Sequence, residues 1–293
     1  MEVVIPAQLA GHAEERGRAG WLASLPAAIE ACRRRWSLEV GAPFEPGGQT
    51  AWVAPARSPE HGDVVLKVAC RHDEALDEAK GLREWNGDGA VMMVATAKVD
   101  ETTTALLLER CEPGTALSAF PGTVQDEVLA GLLARLWRPP PFSERFRPLQ
   151  QMCDLWADEC EEQLARRAGA GDAGLLSEGI ELFRSLPASA DREVLLCTDL
   201  HADNVLAARR EPWLAIDPKP YVGDPTYDVL QHLLNCEDRL VTDPAALVAR
   251  VAGLSGLDPG RLRLWLFARC VVESPRRPEL LEVARRLGRG SRR

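Results

Sequence analysis

The chain has no apolar run that reaches the roughly 18 residues a membrane span needs. Its opening, MEVVIPAQLAGHAEERGRAG, has no basic start with a long apolar stretch behind it, so no signal peptide is expected and the cytoplasm is the default compartment. No two cysteines stand in Cys-x-x-Cys spacing, which leaves a zinc site without support. Positive charge is in deficit: 35 Lys and Arg against 44 Asp and Glu give a net charge of −9. That argues against nucleic acid, whose phosphates call for a basic surface. Internal repeats and long low-complexity tracts are absent. A Gly-x-Gly-x-x-Gly phosphate loop is missing too; PGGQT, with two glycines, reads first as a plain hairpin turn.

What is present describes a globular protein. The 293 residues suit one large domain or two modest lobes, and a hydrophobic fraction of 46% supplies a core. The eight cysteines sit mostly among apolar neighbours, as in VLLC ending at Cys197, and are expected as buried free thiols in a reducing compartment. The acidic balance is compatible with a cationic ligand and equally with simple solubility.

Strand signals dominate the first third. PAAIEACRRRW, 26–36, reads as a helix with Pro26 in its first turn. SLEVGAPF reads as a strand leading into PGGQT. AWVAPARS and DVVLKVAC read as strands joined by a turn at SPEHG. HDEALDEAKGLREW reads as an amphipathic helix with Ala75, Ala79, Leu82 and Trp85 on its apolar stripe. AVMMVATAKVD and TTTALLLERC read as two more strands. Beyond Cys111 the pattern turns helical: TVQDEVLAGLLARLWR, LQQMCDLWADECEEQLARRA, LLSEGIELFRSL and most of the chain after TYDVLQHLL. RPPPFSERFRP is a proline-rich connector, and EVLLCTDL with PWLAIDP forms one small hairpin around a polar loop. The expected fold class is therefore α+β in two lobes, 1–109 strand-rich and 110–293 helical.

Four features stand in order along this frame: Lys67 in VVLKV, Glu78 in the following helix, Asp199 and Asn204 in the loop CTDLHADN, and Asp217 after WLAI. Together they suit phosphoryl transfer from a nucleoside triphosphate. A strand lysine can hold the α- and β-phosphates, and a helix carboxylate can hold that lysine. An aspartate can direct or take the proton of an acceptor hydroxyl. An asparagine oxygen and a second carboxylate can ligate Mg²⁺, a hard ion that prefers oxygen. Lys67 lies inside an apolar run, where an unpaired charge is costly, so a carboxylate or phosphate partner is expected. Glu78 is the first choice, with Glu74 and Asp77 on the same helix as alternatives.

The layout resembles the protein-kinase-like fold, whose catalytic loop reads Asp-x-x-x-x-Asn. Asp199 and Asn204 fit that spacing, and Asp217 follows Asn204 by thirteen positions, where the fold keeps its metal-binding aspartate. GLREWNGDGAV, LLLER, EPWLAIDPKPYVGDPTYDV and WLFARCVVES are similar to aminoglycoside phosphotransferases, in the branch of streptomycin 6-phosphotransferases and hydroxyurea phosphotransferases. The resemblance spans nearly the whole chain. It implies an antiparallel-sheet lobe that binds ATP and a larger helical lobe that carries the catalytic loop. It further implies Mg²⁺ on Asn204 and Asp217, a small cationic amino-sugar acceptor, and a monomer or weak dimer with neither nucleic acid nor membrane as partner. By position PGGQT would cover the phosphates, with Gln49 and Thr50 as contacts. Glu109-Arg110-Cys111 would meet adenine through main-chain groups, so that side-chain identity there says little. Cys197-Thr198 replace the usual His-Gly ahead of the aspartate; cysteine fits an apolar slot, and β-branched Thr198 restricts the backbone.

Several side chains keep two readings. His201 falls where protein kinases carry a lysine near the γ-phosphate, or it braces the loop. Asp203 reads as an exposed loop acid, and Asp224 as a structural acid bracing the catalytic loop. Asp154, Asp158 and Glu159, like Glu237 and Asp238, either attract a cationic sugar or form solvated helix faces. Two other functions remain beside the kinase: a weakly active nucleotide-binding sensor, suggested by Cys197-Thr198, and a metal-dependent hydrolase using Asp199, His201, Asp203 and Asp217.

Overall fold

β-Branched and small apolar residues fill AWVAPARS and GDVVLKVAC, and both stretches become strands. The computed structural model describes residues 3–71, 76–140, 146–166 and 172–288. The chain divides into two compact units, Met1–Thr115 with Ala207–Leu214, and Ala116–Leu206 with Ala215–Arg293. With its antiparallel sheet and helix-rich remainder, the fold is α+β and protein-kinase-like.

The first unit is built on a five-stranded antiparallel sheet: β1 (Glu39–Val40), β2 (Ala51–Ser58), β3 (Gly62–Cys70), β4 (Met93–Lys98) and β5 (Thr103–Glu109). The spatial order is β1-β2-β3-β5-β4. Side chains alternate between faces. Trp52, Ala54, Ala56, Leu66, Val68, Ala105 and Leu107 point one way, into a core shared with Leu9 of α1 (Ala7–Glu15) and with Trp21, Leu25 and Ile29 of α2 (Ala19–Arg35). Lys67 alternates with Leu66 and Val68, and so takes the other face. There α3 (Glu78–Trp85) buries Glu78, Leu82 and Trp85.

Three local expectations change here. The helix expected to start at Pro26 begins at Ala19 and contains the proline. Pro26 offers no N–H to the preceding turn, but Trp21, Leu25, Ile29 and Cys32 are all buried along one stripe, and that packing carries the helix through the missing bond. The strand SLEVGAPF shrinks to two residues, although Gly41 and Phe44 still donate to the carbonyls of Pro55 and Val53 at 2.8 and 2.9 Å. The helix sought over HDEALDEAKGLREW is present from Glu78; Glu74 and Ala75 lie outside the described residues.

The second unit is mainly helical: α4 (Gly122–Leu136), α5 (Leu149–Ala165), α6 (Ala173–Ser185), α7 (Leu230–Asn235), α8 (Glu237–Thr242), α9 (Pro244–Ser255), α10 (Pro259–Glu273) and α11 (Leu280–Gly288). Helix α10 is buried on most of its surface, from Leu262 and Trp265 to Val272. Gly179 lets α6 lie against it, since a Cβ there would stand 2.4 Å from Val271 Cγ2. VLL and WLA do not form the single hairpin expected. β6 (Val194–Leu196) pairs with β9 (Tyr221–Gly223), and β7 (Val205–Ala207) pairs with β8 (Trp213–Ala215). The short turn after Ala207 lets β7 claim β8 locally, and β6 finds its partner further along the chain.

Asp126 ties four helices of this unit together. Its carboxylate accepts from Arg239 Nη2 at 2.6 Å, Arg250 Nε at 2.7 Å and His232 Nε2 at 2.8 Å. Cys236 lies beside His232, but guanidinium groups occupy the carboxylate, so the cluster is an ionic brace and not a metal centre. Burial alone would raise the Asp126 carboxyl; the hydrogen bonds from His232, Arg239 and Arg250 outweigh it and hold it well below the usual carboxylate range. Asp126→Ala is expected to lower unfolding stability by about 3 kcal/mol at neutral pH. The figure is kept at the low end because Arg239 and Arg250 are about one-third exposed and can turn to water. A depressed folded pKa gives stability above the unfolded value and loses it as pH falls. Urea titrations of wild type and variant should therefore converge as pH drops below roughly 4, and equal midpoints at pH 7 would refute the brace.

All eight cysteines are free thiols, six of them buried. Among the described residues no helix is long and apolar enough to cross a membrane.

Candidate active site

In the first unit, strand register sets Lys67 opposite Val53 on one side and Leu106 on the other. Its Nζ donates to Glu78 Oε1 at 2.7 Å, and both side chains are more than nine-tenths buried. A buried ion pair adds little stability over an apolar pair of the same size, so keeping one in a sheet points to a use for the charge. Asp77 is taken by Lys80 of its own helix at 2.9 Å. The PGGQT loop links β1 to β2. Gln49 is exposed and Thr50 half-buried, with the Thr50 carbonyl accepting from Cys70 N–H at 2.9 Å. Gly47 adopts φ +87°, and a Cβ there would lie 2.7 Å from Pro6 Cβ, so the turn needs its glycine.

Glu109 departs from the expectation that side chains at the end of β5 say little. Its two oxygens accept from Arg210 Nε and Nη2, both at 2.9 Å, and Met92 N–H adds a third bond at 3.0 Å. Arg210 also donates to the carbonyls of Gly87 and Ala90 at 2.6 and 3.2 Å. One guanidinium thus fastens the β7–β8 turn, the end of β5 and the segment after α3. Cys111 is half-buried; burial first, and the Glu109 charge second, push its thiol up to about 12.

In the second unit the loop CTDLHADN is pinned by apolar side chains spaced along it. Cys197, Leu200, Ala202 and Val205 are buried, while Asp199, His201 and Asn204 are partly open and Asp203 is exposed. The brace beneath the loop is Asp228, not Asp224. Asp228 is fully buried; its Oδ2 accepts from Cys197 N–H and from the Trp137 indole, both at 3.0 Å, and its Oδ1 from Thr198 N–H at 2.5 Å. Asp224 is occupied elsewhere, with Arg261 Nε and Trp265 Nε1 at 2.6 Å and Thr226 N–H at 2.8 Å. Thr198 adopts φ +54°, an uncommon region for a β-branched residue. Two bonds hold it there: its N–H to Asp228, and its hydroxyl to the Lys219 carbonyl at 2.5 Å.

Asp199 itself is 17% exposed and meets Lys219 Nζ at 2.5 Å. Its carbonyl accepts from Asn204 Nδ2 at 3.0 Å, which leaves the Asn204 amide oxygen as that side chain's ligand atom. Ile216 N–H donates to the Asn204 carbonyl at 2.9 Å, and Asp217, φ +52°, follows Ile216 in the chain. His201 Nδ1 is 3.7 Å from Asp203 Oδ2, beyond hydrogen-bond reach.

Comparison with known proteins decides the family. The family described as aminoglycoside/hydroxyurea antibiotic resistance kinase matches residues 35–279. The chain belongs to that family. A streptomycin 6-kinase of Streptomyces glaucescens is 34% identical over 91% of this chain and 88% of its own length. A hydroxyurea phosphotransferase of Kitasatospora aureofaciens is 36% identical over 92% of this chain and 78% of its own. Among solved structures, the aminoglycoside phosphotransferase APH(4)-Ia aligns with TM-score 0.60 at 15% identity, covering 90% and 96% of the two chains. Choline kinase LicA from Streptococcus pneumoniae aligns with TM-score 0.61 at 12% identity, covering 89% and 98%.

This resistance-kinase family member is an O-phosphotransferase, and its donor chemistry suits Mg²⁺: Asn204 and Asp217 offer an amide and a carboxylate oxygen, both hard ligands. The acidic stretch of α5 is largely spoken for by the protein itself. Asp158 pairs with Arg184 at 2.6 Å, Glu159 with Arg276 at 2.8 Å, and Asp154 accepts from Gln150 at 2.9 Å. Glu237 pairs with Arg277 at 2.9 Å, and Asp238 neighbours it on α8. Sequence reasoning missed Asp228, Lys219 and Arg210. Asp228 and Lys219 stand in the EPWLAIDPKPYVGDPTYDV run that carries the family resemblance, where their charge was the available signal; Arg210 had none beyond its place in a turn.

Proposed function

We propose that this kinase transfers the γ-phosphate of ATP to the 6-hydroxyl of streptomycin and so confers resistance to it. The observation that carries the reading is the Asp199 loop: a partly open carboxylate on a braced turn, with Asn204 bonded to the Asp199 carbonyl. Streptomycin is favoured because two curated relatives, from Streptomyces glaucescens and Streptomyces griseus, are streptomycin 6-kinases at 34% identity. Hydroxyurea is the second reading, supported by the 36% identical phosphotransferase. The acidic net charge suits a cationic acceptor. Free, mainly buried thiols and a need for ATP suit the cytoplasm, with the enzyme acting as a monomer or weak dimer.

In this mechanism Lys67, positioned by Glu78, holds the α- and β-phosphates. The PGGQT loop, with Gln49 and Thr50, covers the phosphates, and main-chain groups of Glu109–Cys111 meet adenine. Asn204 and Asp217 would hold Mg²⁺, which offsets phosphate charge when bound. Asp199 orients the acceptor hydroxyl and takes its proton as the oxygen attacks phosphorus. Positioning and charge neutralisation supply most of the rate gain.

The test is ADP release with MgATP against streptomycin, other aminoglycosides, hydroxyurea, simple amino sugars and no acceptor. Streptomycin-dependent turnover, with the phosphate on the 6-hydroxyl by NMR of the product, is expected. Turnover with hydroxyurea alone moves the assignment to the second reading. Phosphate release without any acceptor points to the hydrolase, and nucleotide binding with no product to the sensor.

A further inference from the structure

The structure places Lys219 against the carboxylate at the centre of the catalytic loop. Its Nζ stands 2.5 Å from Asp199 Oδ2. Its main chain is fastened to the same loop twice. Lys219 N–H donates to the Cys197 carbonyl at 2.9 Å, and the Lys219 carbonyl accepts from the Thr198 hydroxyl at 2.5 Å. Pro218 and Pro220, both buried, bracket it. Proline fixes its own φ and confines the residue before it to extended backbone, so the main chain of Lys219 has little freedom. The pair nevertheless stays open to solvent and ligand: the Lys219 side chain is 29% exposed and that of Asp199 17%. The ionic brace at Asp126 is different, with a carboxylate that is fully enclosed.

We propose that Lys219 is a catalytic residue of the phosphoryl transfer, aiming the Asp199 carboxylate and carrying positive charge onto the group in flight. The inference rests on the phosphotransferase reading above. In the step, the acceptor hydroxyl oxygen forms a bond to the γ-phosphorus. The bond from that phosphorus to the β,γ-bridging oxygen breaks, and its electron pair leaves with ADP. The hydroxyl proton passes to Asp199 Oδ1, the oxygen turned away from Lys219. Negative charge is spread over the phosphoryl oxygens at this point. An ammonium has three donors, so one group can hold Asp199 Oδ2 and a phosphoryl oxygen together. His201, two residues after Asp199, stands where protein kinases carry a lysine near the γ-phosphate, and it is a histidine here. The cation comes instead from the segment behind Asp217.

Lys219→Met and Lys219→Arg, compared with wild type, test this. Lys219→Met is expected to lower kcat about 100-fold with acceptor KM changed by less than about threefold. Lys219→Arg, which keeps the charge, should restore at least about a tenth of kcat. By calorimetry, ADP affinity should stay within about twofold, while affinity for a non-hydrolysable ATP analogue drops severalfold, because only the analogue carries the γ-phosphate. Lys219→Met with kcat within about threefold of wild type would overturn the proposal. So would equal losses of ADP affinity, analogue affinity and melting temperature, which would mark a structural role. A wild type that phosphorylates no acceptor would overturn the phosphotransferase reading, and the two nucleotide affinities would still decide Lys219.

Discussion

Asp199→Ala should leave a folded protein whose phosphoryl transfer falls by about three orders of magnitude. Three features make the effect local. The loop is held from below by Asp228, not by the Asp199 side chain. Asn204 bonds to the Asp199 carbonyl, which truncation keeps. The lost ion pair with Lys219 is partly exposed, so its removal costs at most about 1 kcal/mol. Melting temperature and ADP affinity should therefore stay near wild type while acceptor-dependent ADP formation collapses. The loss reports the base and the orientation it gives the hydroxyl; what activity survives reports binding of both substrates at the site. Turnover close to wild type would remove Asp199 from the mechanism. Acceptor-independent phosphate release that disappears with Asp199 would instead favour the hydrolase.

The parts legible in advance were those whose chemistry is local. Lys67 announced itself as one charge in an apolar strand, and its partner lay eleven residues on, in the next helix. The closeness of Asp199 and Asn204 was legible because one turn translates their sequence spacing directly into proximity. What stayed hidden depends on distant contacts. Asp224 and Asp228 look alike in GDPTYDV. The nearer one caps its own turn through Thr226 N–H, and only the packing of the chain shows that the other reaches back some thirty residues to Cys197 and Thr198. Lys219 carries no local signal of its role, because its bond to Asp199 forms only when the segment folds onto the loop. Pro26 reads as a helix start because its missing N–H is a local fact, whereas the buried stripe from Trp21 to Cys32 that overrides it is a tertiary one.

Of the side chains that hold the catalytic loop, the buried carboxylate of Asp228 should prove the costliest to lose. Asp228→Ala strands two main-chain N–H groups and the Trp137 indole N–H, in a place where the carboxylate is wholly enclosed. Each orphaned donor costs roughly 1–3 kcal/mol, so a stability loss of about 4 kcal/mol at pH 7.5 is expected by urea unfolding. The loss should reach function as well. Thr198 is kept at φ +54° partly by its bond to Asp228, and a relaxed Thr198 shifts Asp199 and loosens the Lys219 carbonyl from its hydroxyl. A fall in kcat of about 100-fold, at conditions where the variant is still folded, follows from misplacement alone. Burial raises the Asp228 carboxyl to about 6, against the three N–H bonds that lower it. A folded pKa above the unfolded value means that this group's contribution is complete below the unfolded pKa and declines as pH rises through about 6. The stability gap between wild type and Asp228→Ala should accordingly be wider at pH 5 than at pH 7.5. Asp228→Asn keeps one acceptor but turns an NH₂ toward a donor, and should fall between the two. A gap under about 1 kcal/mol at both pH values, with kcat unchanged, would show that the loop holds its shape without this brace.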